Sequence, residues 1–468
     1  MEKRRQTSKN SQNSKTLVDR ISVLPSPILN HLVSFLPVQD IVRTSVLSKQ
    51  WRTIWCSVHS FHFAECCFKS EEIEFYDFVD SFLFLRDGSN IHKFKLCLAC
   101  LKDDDFELST DMIGKWIMYA IRHNVQVLDA LFSLGNTEVP PQIFTCQSLK
   151  ELKLYGATLN LPASIWLPAL KSFHLSQSFI RDGRVGKALF SNNMCSLETL
   201  IIEDCYFEVP KLLVISIVLL KTLVLKGHLP ESVDITTPNL SSLEIGPWPR
   251  SDYPITVRFK TDLTNLTYAN IQIRATCFEP MTEIFRILRN ARSLTLSGLF
   301  ISSFVEEPQD NLACIKDPFH SLKCLKLGTT FKDREIKVLH TILHHSLLIE
   351  TIFLENIMGN EEEDYKEQDV WFGYEMASLK CVTIQGFRGS VNEVRFVEVV
   401  MEKAQVLDKF IILTSKAGNE NNQEMMKTRK KLIAFPRASP SVAILFQQIE
   451  SLSKCCGFIS SNRCIEGA

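Results

Sequence analysis

The chain has 468 residues, a formal net charge of −1 and 45% apolar residues. That leaves room for two to four domains or one long repeat array. The balance of 52 basic against 53 acidic side chains removes any global reason to expect nucleic acid or an anionic membrane as the main partner. The longest apolar run, Leu212 to Leu220, is interrupted by Ser216 and bounded by Lys211 and Lys221, far short of the ~20 residues that span a bilayer.

The first sixteen residues, MEKRRQTSKNSQNSKT, are polar and basic and predict a tail with nothing to add to a core. They also lack the apolar segment of a secretory signal, so the 15 scattered cysteines point to a reducing compartment, nucleus or cytoplasm. Between Asp19 and Trp55 the pattern predicts three short helices. Pro27 suits a first helical turn, and Ile28, Leu29, Leu32, Val33, Phe35 and Leu36 recur at helical spacing until Pro37. Asp40 opens a second segment with Ile41, Val42, Val46 and Leu47, and Ser48 precedes a third in which Trp51 and Trp55 share a face. A unit of ~40 residues cannot bury all of these side chains internally, so a partner is expected to cover the remainder.

Past residue 60 one pattern returns: an apolar residue, two variable positions, a second apolar, one variable position and a third apolar. It reads IHKFKL at 91, VQVLDA at 125, LKELKL at 149, LKSFHL at 170, LETLII at 197, LKTLVL at 220, LSSLEI at 240, LTYANI at 266, ARSLTL at 291, LKCLKL at 322, IETIFL at 349, LKCVTI at 379 and LDKFII at 407. Successive starts lie 20 to 34 residues apart. A period-2 apolar pair within such a repeat predicts a solenoid in which each turn supplies one short strand. An acidic stretch follows between Gly359 and Asp369 and predicts a surface loop. From Met376 to Leu413 the texture alternates strand, turn, helix and strand, with Gly386 and Gly389 in the turn. Lys427, Arg429, Lys430 and Lys431 then form a basic cluster, expected on a solvated loop.

Three resemblances fall in this order along the chain. The LP pair at 24 and 25, FLP at 35 to 37, Asp40 and VLSKQWRTIW at 46 to 55 resemble the F-box. The apolar repeats resemble leucine-rich repeats, with Cys205 at the inward Asn/Cys position and Ala157, Ser178 or His228 there in other turns. GFRG at 386 and FPRASPSVAILF at 435 to 446 resemble the FBD domain of plant F-box proteins. The fold implied is α/β: a tail (1–16), a three-helix F-box (17–60), an irregular leucine-rich-repeat solenoid with a curved parallel sheet and helices or loops on its convex side (61–365), an FBD region continuing it (366–446) and a C-terminal tail (447–468).

The F-box resemblance implies docking to a Skp-type adaptor, and through it a cullin, by Leu24, Pro25, Ile28, Leu29, Leu32, Leu36, Pro37, Val46 and Trp51. The repeats would hold a target protein through outward residues of the strands: Glu151, Lys153 and Tyr155; His174; Ile201 and Glu203; Val224 and Lys226; Glu244; Lys326; Phe353 and Glu355. Their mixed charge suits a protein better than a phosphate backbone. Arg437 and Ser439 match the terminal RAS element, where a structural role competes with binding.

Enzymatic readings carry little weight. His340, His344 and His345 lack the glutamate and third ligand of a zinc site, and Cys97 with Cys100 has no second pair at zinc spacing. The adjacent pairs Cys66/Cys67 and Cys455/Cys456 suit neither a disulfide nor a nucleophile. The expectation is a non-catalytic substrate receptor of an SCF-type ubiquitin ligase, without cofactor or metal. A repeat scaffold or small-ligand sensor, with the F-box-like segment as a cap, is the alternative.

Overall fold

The structure is a computed structural model that describes residues 21, 24–49, 51–68, 72–98, 106–133, 137–162, 164–181, 190, 194–208, 212–247, 255–306, 315, 319–357, 374–415 and 422–449. Both predicted tails, apart from residues 447–449, lie outside these, as do the acidic stretch, Cys100 and the Cys455/Cys456 pair.

The N-terminal helices are α1 (Ser26–Val33), α2 (Val38–Arg43) and α3 (Trp51–Ile54). Pro27 sits in the first turn of α1, where its missing N–H costs nothing, and Pro37 stands at the N-terminal boundary of α2. Asp40 falls in the first turn of α2 and pairs with Arg43 at 2.8 Å. Leu29, Val33, Val38, Ile41, Trp51, Ile54 and Val58 turn inward and join the same continuous core as the rest of the chain.

The chain then enters a single parallel sheet of fifteen strands, each hydrogen-bonded to the next in chain order. They are β1 (Ser60–Ala64), β2 (Lys93–Leu98), β3 (Val127–Phe132), β4 (Glu151–Tyr155), β5 (Ser172–Ser176), β6 (Thr199–Glu203), β7 (Thr222–Lys226), β8 (Ser242–Ile245), β9 (Tyr268–Ile271), β10 (Ser293–Leu296), β11 (Cys324–Thr329), β12 (Thr351–Asn356), β13 (Cys381–Gln385), β14 (Lys409–Ser415) and β15 (Ala443–Ile449). Every one of the thirteen apolar motifs becomes a strand, β2 to β14, and its second and third apolar residues lie buried in register with those of neighbouring turns. β1 and β15 add one strand at each end.

What crosses between strands changes along the solenoid. The crossings before β3 and after β9 carry helices: α4 (Glu72–Phe84), α5 (Phe106–Arg122), α6 (Ile284–Leu288), α7 (Gly298–Glu306), α8 (Asp333–His344), α9 (Val391–Lys403) and α10 (Asn422–Ile433). Between β3 and β9 the described crossings are extended instead. Thr137–Val139, Ala157–Leu159, Phe179–Ile180 and Tyr206–Phe207 form a four-stranded sheet, and Leu212–Ser216, Ser232–Thr236 and Thr256–Phe259 a three-stranded one. Extended chain covers more distance per residue than helix, so repeats as short as 20 residues close only this way. The apolar run at 212–220 is thus a strand of the second small sheet and the turn after it, and no helix among the described residues is long and apolar enough to cross a membrane.

No uniform asparagine ladder holds the turns. Cys205 is buried and its thiol donates to the carbonyls of Leu175 and Glu203 at 3.5 and 3.4 Å, with burial pushing its pKa up to about 12. Ser178 substitutes a hydroxyl, donating to Ser176 O at 2.8 Å and accepting from Ala157 N at 3.1 Å. His228 departs from expectation: it is exposed and stacks on Tyr206 instead of pointing inward. The basic cluster at 427–431 also departs, lying on α10 and not on a loop; Leu432 is buried and anchors that helix, while the guanidinium of Arg429 lies 4.3 Å above the Phe446 ring.

Two candidate binding surfaces

The first surface is on the N-terminal helices. Ile28, Leu32, Phe35, Leu36, Val46 and Leu47 all face solvent, with Val46 85%, Phe35 67% and Leu47 63% exposed. So many large apolar side chains on one small unit form a patch of the kind that a monomer rarely leaves open. Pro25 and Pro37 are also exposed, and Leu24 is half-buried against the core. Two residues expected on this face are not on it: Leu29 is 0% exposed and Trp51 5%. On α1, Leu29 and Val33 point inward one turn apart while Ile28 and Leu32 point out, and Trp51 fills the space between α3 and the other helices. Phe35 and Leu47 were missed, although each sits inside the apolar run that carries its neighbours.

The second surface is the outward face of the sheet. Strand register lines up His62, Lys95, Asp129, Lys153, His174, Ile201, Val224, Glu244, Asn270, Thr295, Lys326 and Phe353 across successive strands. Burial, with Lys95 and Lys93 nearby, pushes the His62 pKa down to about 4.

Through this row, at His174, Glu244 and Asn270, a polar belt runs across β4 to β9. The Tyr155 hydroxyl and His174 Nδ1 share a hydrogen bond at 2.9 Å, and His174 Nε2 lies 3.3 Å from Glu203 Oε2. Lys226 Nζ reaches Glu203 Oε1 at 3.5 Å and Glu244 Oε1 at 3.1 Å. Asn270 donates to Glu244 Oε1 at 2.8 Å and accepts from Gln272 at 3.1 Å. The hydrogen bond from His174, helped by Lys226, holds the Glu203 carboxyl below its usual range despite burial. Burial opposes the charge on Lys226, but Glu244 and Glu203 outweigh it and raise its pKa.

Five of the residues expected to read a target therefore join one network: Tyr155, His174, Glu203, Lys226 and Glu244. Tyr155 and His174 are largely buried beneath it. Glu151 and Lys153 pair with each other at 2.6 Å at its edge. Lys326, Phe353 and Glu355 form a separate group, with Lys326 Nζ 4.8 Å from the Phe353 ring centre and 3.8 Å from Glu355.

Residues considered for other chemistry take structural places. His340 and His344 stack along α8 against Tyr374, whose hydroxyl donates to His340 O at 3.1 Å, and no group of metal-ligating side chains occurs among the described residues. Arg437 donates to Val442 O and Ile433 O, and Ser439 to Leu407 O at 2.7 Å, so the RAS element ties β15 and α10 to the turn before β14.

Comparison with known proteins covers both surfaces. An F-box domain model matches residues 21–63, and a model described as "At1g61320/AtMIF1, LRR domain" matches 83–439. F-box/LRR-repeat protein 13 of Arabidopsis thaliana is 28% identical over 454 residues, 92% of this chain and 96% of that protein. F-box/FBD/LRR-repeat protein At1g78750 of the same plant is 27% identical over 461 residues, again 92% and 96%. F-box/LRR-repeat protein At3g59200 is 30% identical over 274 residues, 55% of this chain and 50% of that protein.

Proposed function

Because the chain belongs to the F-box/leucine-rich-repeat family, we propose that it is a substrate receptor of an SCF-type cullin ubiquitin ligase, acting in the nucleus or cytoplasm. The F-box helices dock on a Skp-type adaptor, and the repeats hold a target protein. The observation that carries this reading is the solvent-facing apolar set Ile28, Leu32, Phe35, Leu36, Val46 and Leu47. A segment serving only as a cap for the solenoid would direct its apolar residues at the sheet; this one does so with Leu29, Val33 and Trp51 and still leaves a second set outside.

Its role is proximity. Two proteins fixed on one scaffold meet at an effective concentration set by geometry, so lysines on the target are presented to the ubiquitin-charged enzyme without this chain forming a covalent intermediate. The test is co-expression with a plant Skp-type adaptor, comparing the intact chain with a Leu36→Asp, Val46→Asp form. A stoichiometric complex lost in the double variant, with thermal unfolding unchanged, supports the reading. A complex that survives both charges, or fails to form with the intact chain, returns the F-box segment to the role of a cap.

A further inference from the structure

Three turns of the solenoid carry a feature that packing does not require. Phe179, Tyr206 and His228 are all exposed, yet they stack in a ladder: Phe179 on Tyr206 at 5.0 Å and 16° between planes, Tyr206 on His228 at 4.6 Å and 26°. Each follows the last residue of its strand by two or three positions, Ser176, Glu203 and Lys226 respectively, which are in register with one another. These rings hold a stacked arrangement at the surface, with Phe179 39% and Tyr206 44% exposed, so part of each ring is available to a partner.

The belt alongside supplies the charge. Glu203 and Glu244 share the ammonium of Lys226, and the second oxygen of Glu203 is taken by His174, so two carboxylates have one ammonium between them. Glu244 uses Oε1 for both Lys226 and Asn270, and its Oε2 has no partner among the described residues. In the same register row, between His174 and Glu244, Ile201 and Val224 lie side by side, half-buried. The strip thus offers an aromatic lip, a carboxylate oxygen still to be paired and an aliphatic floor.

We propose that this strip, on β5 to β8, is where the repeats read their target, and that it takes a protein segment carrying Arg or Lys next to a large apolar side chain. The cation completes the pairing of Glu244, while the apolar neighbour covers Ile201 and Val224 and lies against the exposed side of the ring ladder. The excess of carboxylate disfavours an acidic or phosphorylated segment by like-charge repulsion. This rests on the receptor reading above.

A library of random peptides displayed on phage, selected on the adaptor-bound full chain, tests it. Expected is enrichment of Arg or Lys beside Leu, Ile or Phe. The selected peptide should bind roughly fivefold more weakly to Glu244→Gln and to Tyr206→Ala, the worth of an exposed ion pair or an apolar ring contact, and equally well to Lys326→Glu. Tyr206 is exposed and Glu244 half-buried, so unchanged melting of the variants is needed to separate lost contact from lost fold. Selection of acidic peptides, of peptides sensitive only to Lys326→Glu, or of none overturns the assignment; an adaptor complex that still forms leaves the receptor reading standing, and its absence removes both.

Discussion

Leu29 and Leu32 stand three residues apart on α1 and have opposite environments. Leu29 is sealed in the core and Leu32 faces solvent. Truncating Leu29 to Ala should therefore cost about 2–5 kcal/mol, the lost transfer energy plus an unfilled cavity, read as a lower urea midpoint. Leu32→Asp should leave the midpoint nearly unchanged and remove adaptor binding. Periodicity showed that this helix is apolar on more than one face, but not which face the rest of the chain would cover; that is settled by Val38, Ile41 and Trp51 arriving from α2 and α3. His62 offers a pH reading. Its pKa falls from 6.5 to about 4 on folding, so the unfolded chain takes up the proton first. The contribution is fully present above pH 6.5 and is lost as pH drops toward about 4, with a ceiling near 3 kcal/mol. His62→Asn should flatten the stability profile across that window, measured by urea melts at stepped pH.

Two helices in the second half of the solenoid begin on the same device, a fully buried glutamate. Glu335 accepts from Thr329 Oγ1 at 2.8 Å, Thr330 N at 2.6 Å and Thr330 Oγ1 at 3.0 Å at the start of α8. Glu393 accepts from Ser390 N at 2.8 Å, Arg388 N at 3.1 Å and Asn356 Nδ2 at 2.7 Å at the start of α9, in a capping box with Ser390. In each case a carboxylate at the positive end of a helix gathers the orphan donors of the incoming loop. Glu393→Ala would strand several of them, and a loss of roughly 2–4 kcal/mol is expected, against about 1 for Ser390→Ala. Hydrogen exchange should show the loosening confined to residues 386–392. The Ser-x-x-Glu spacing is written in the chain, but the amide from Asn356, a strand away, is not. α10 was illegible for a different reason: Lys427, Arg429, Lys430 and Lys431 mask the few apolar positions, Met425 and Leu432 among them, that fix it to the sheet.

Across the whole molecule the core is continuous from Leu29 to Val442, and Arg86 closes the seam between helices and sheet. Its guanidinium donates to Val58 O and to Ser89 O at 3.1 Å and lies 4.8 Å from the Phe61 ring centre; burial pulls its pKa down. Arg86→Ala should speed amide exchange between Cys56 and Ser60 and cost about 2 kcal/mol, while adaptor affinity, measured by calorimetry, stays the same. The thirteen inner strands were legible because each repeats the same apolar spacing. β1 and β15 were not: SFHFA stands alone after the helices, and AILFQQI breaks the pattern with Gln447 and Gln448. The shortest repeat, 20 residues between 220 and 240, leaves little room for a helix and was visible, but the pairing of the middle crossings into separate sheets depends on neighbours that only the closed solenoid brings together.

Strands laid side by side in strict chain order also make a ruler. β1 and β6 are five spacings apart, roughly 24 Å at the ~4.8 Å between neighbouring strands. Splicing out a single turn between them would bring the Glu203 region closer to the helices by one graduation, about 5 Å, and rotate it by one increment of the solenoid's curvature. On the proposed receptor reading, cargo held at β6 would then offer a different set of its own lysines, and the number of turns would tune which residues are modified without any change in what is bound.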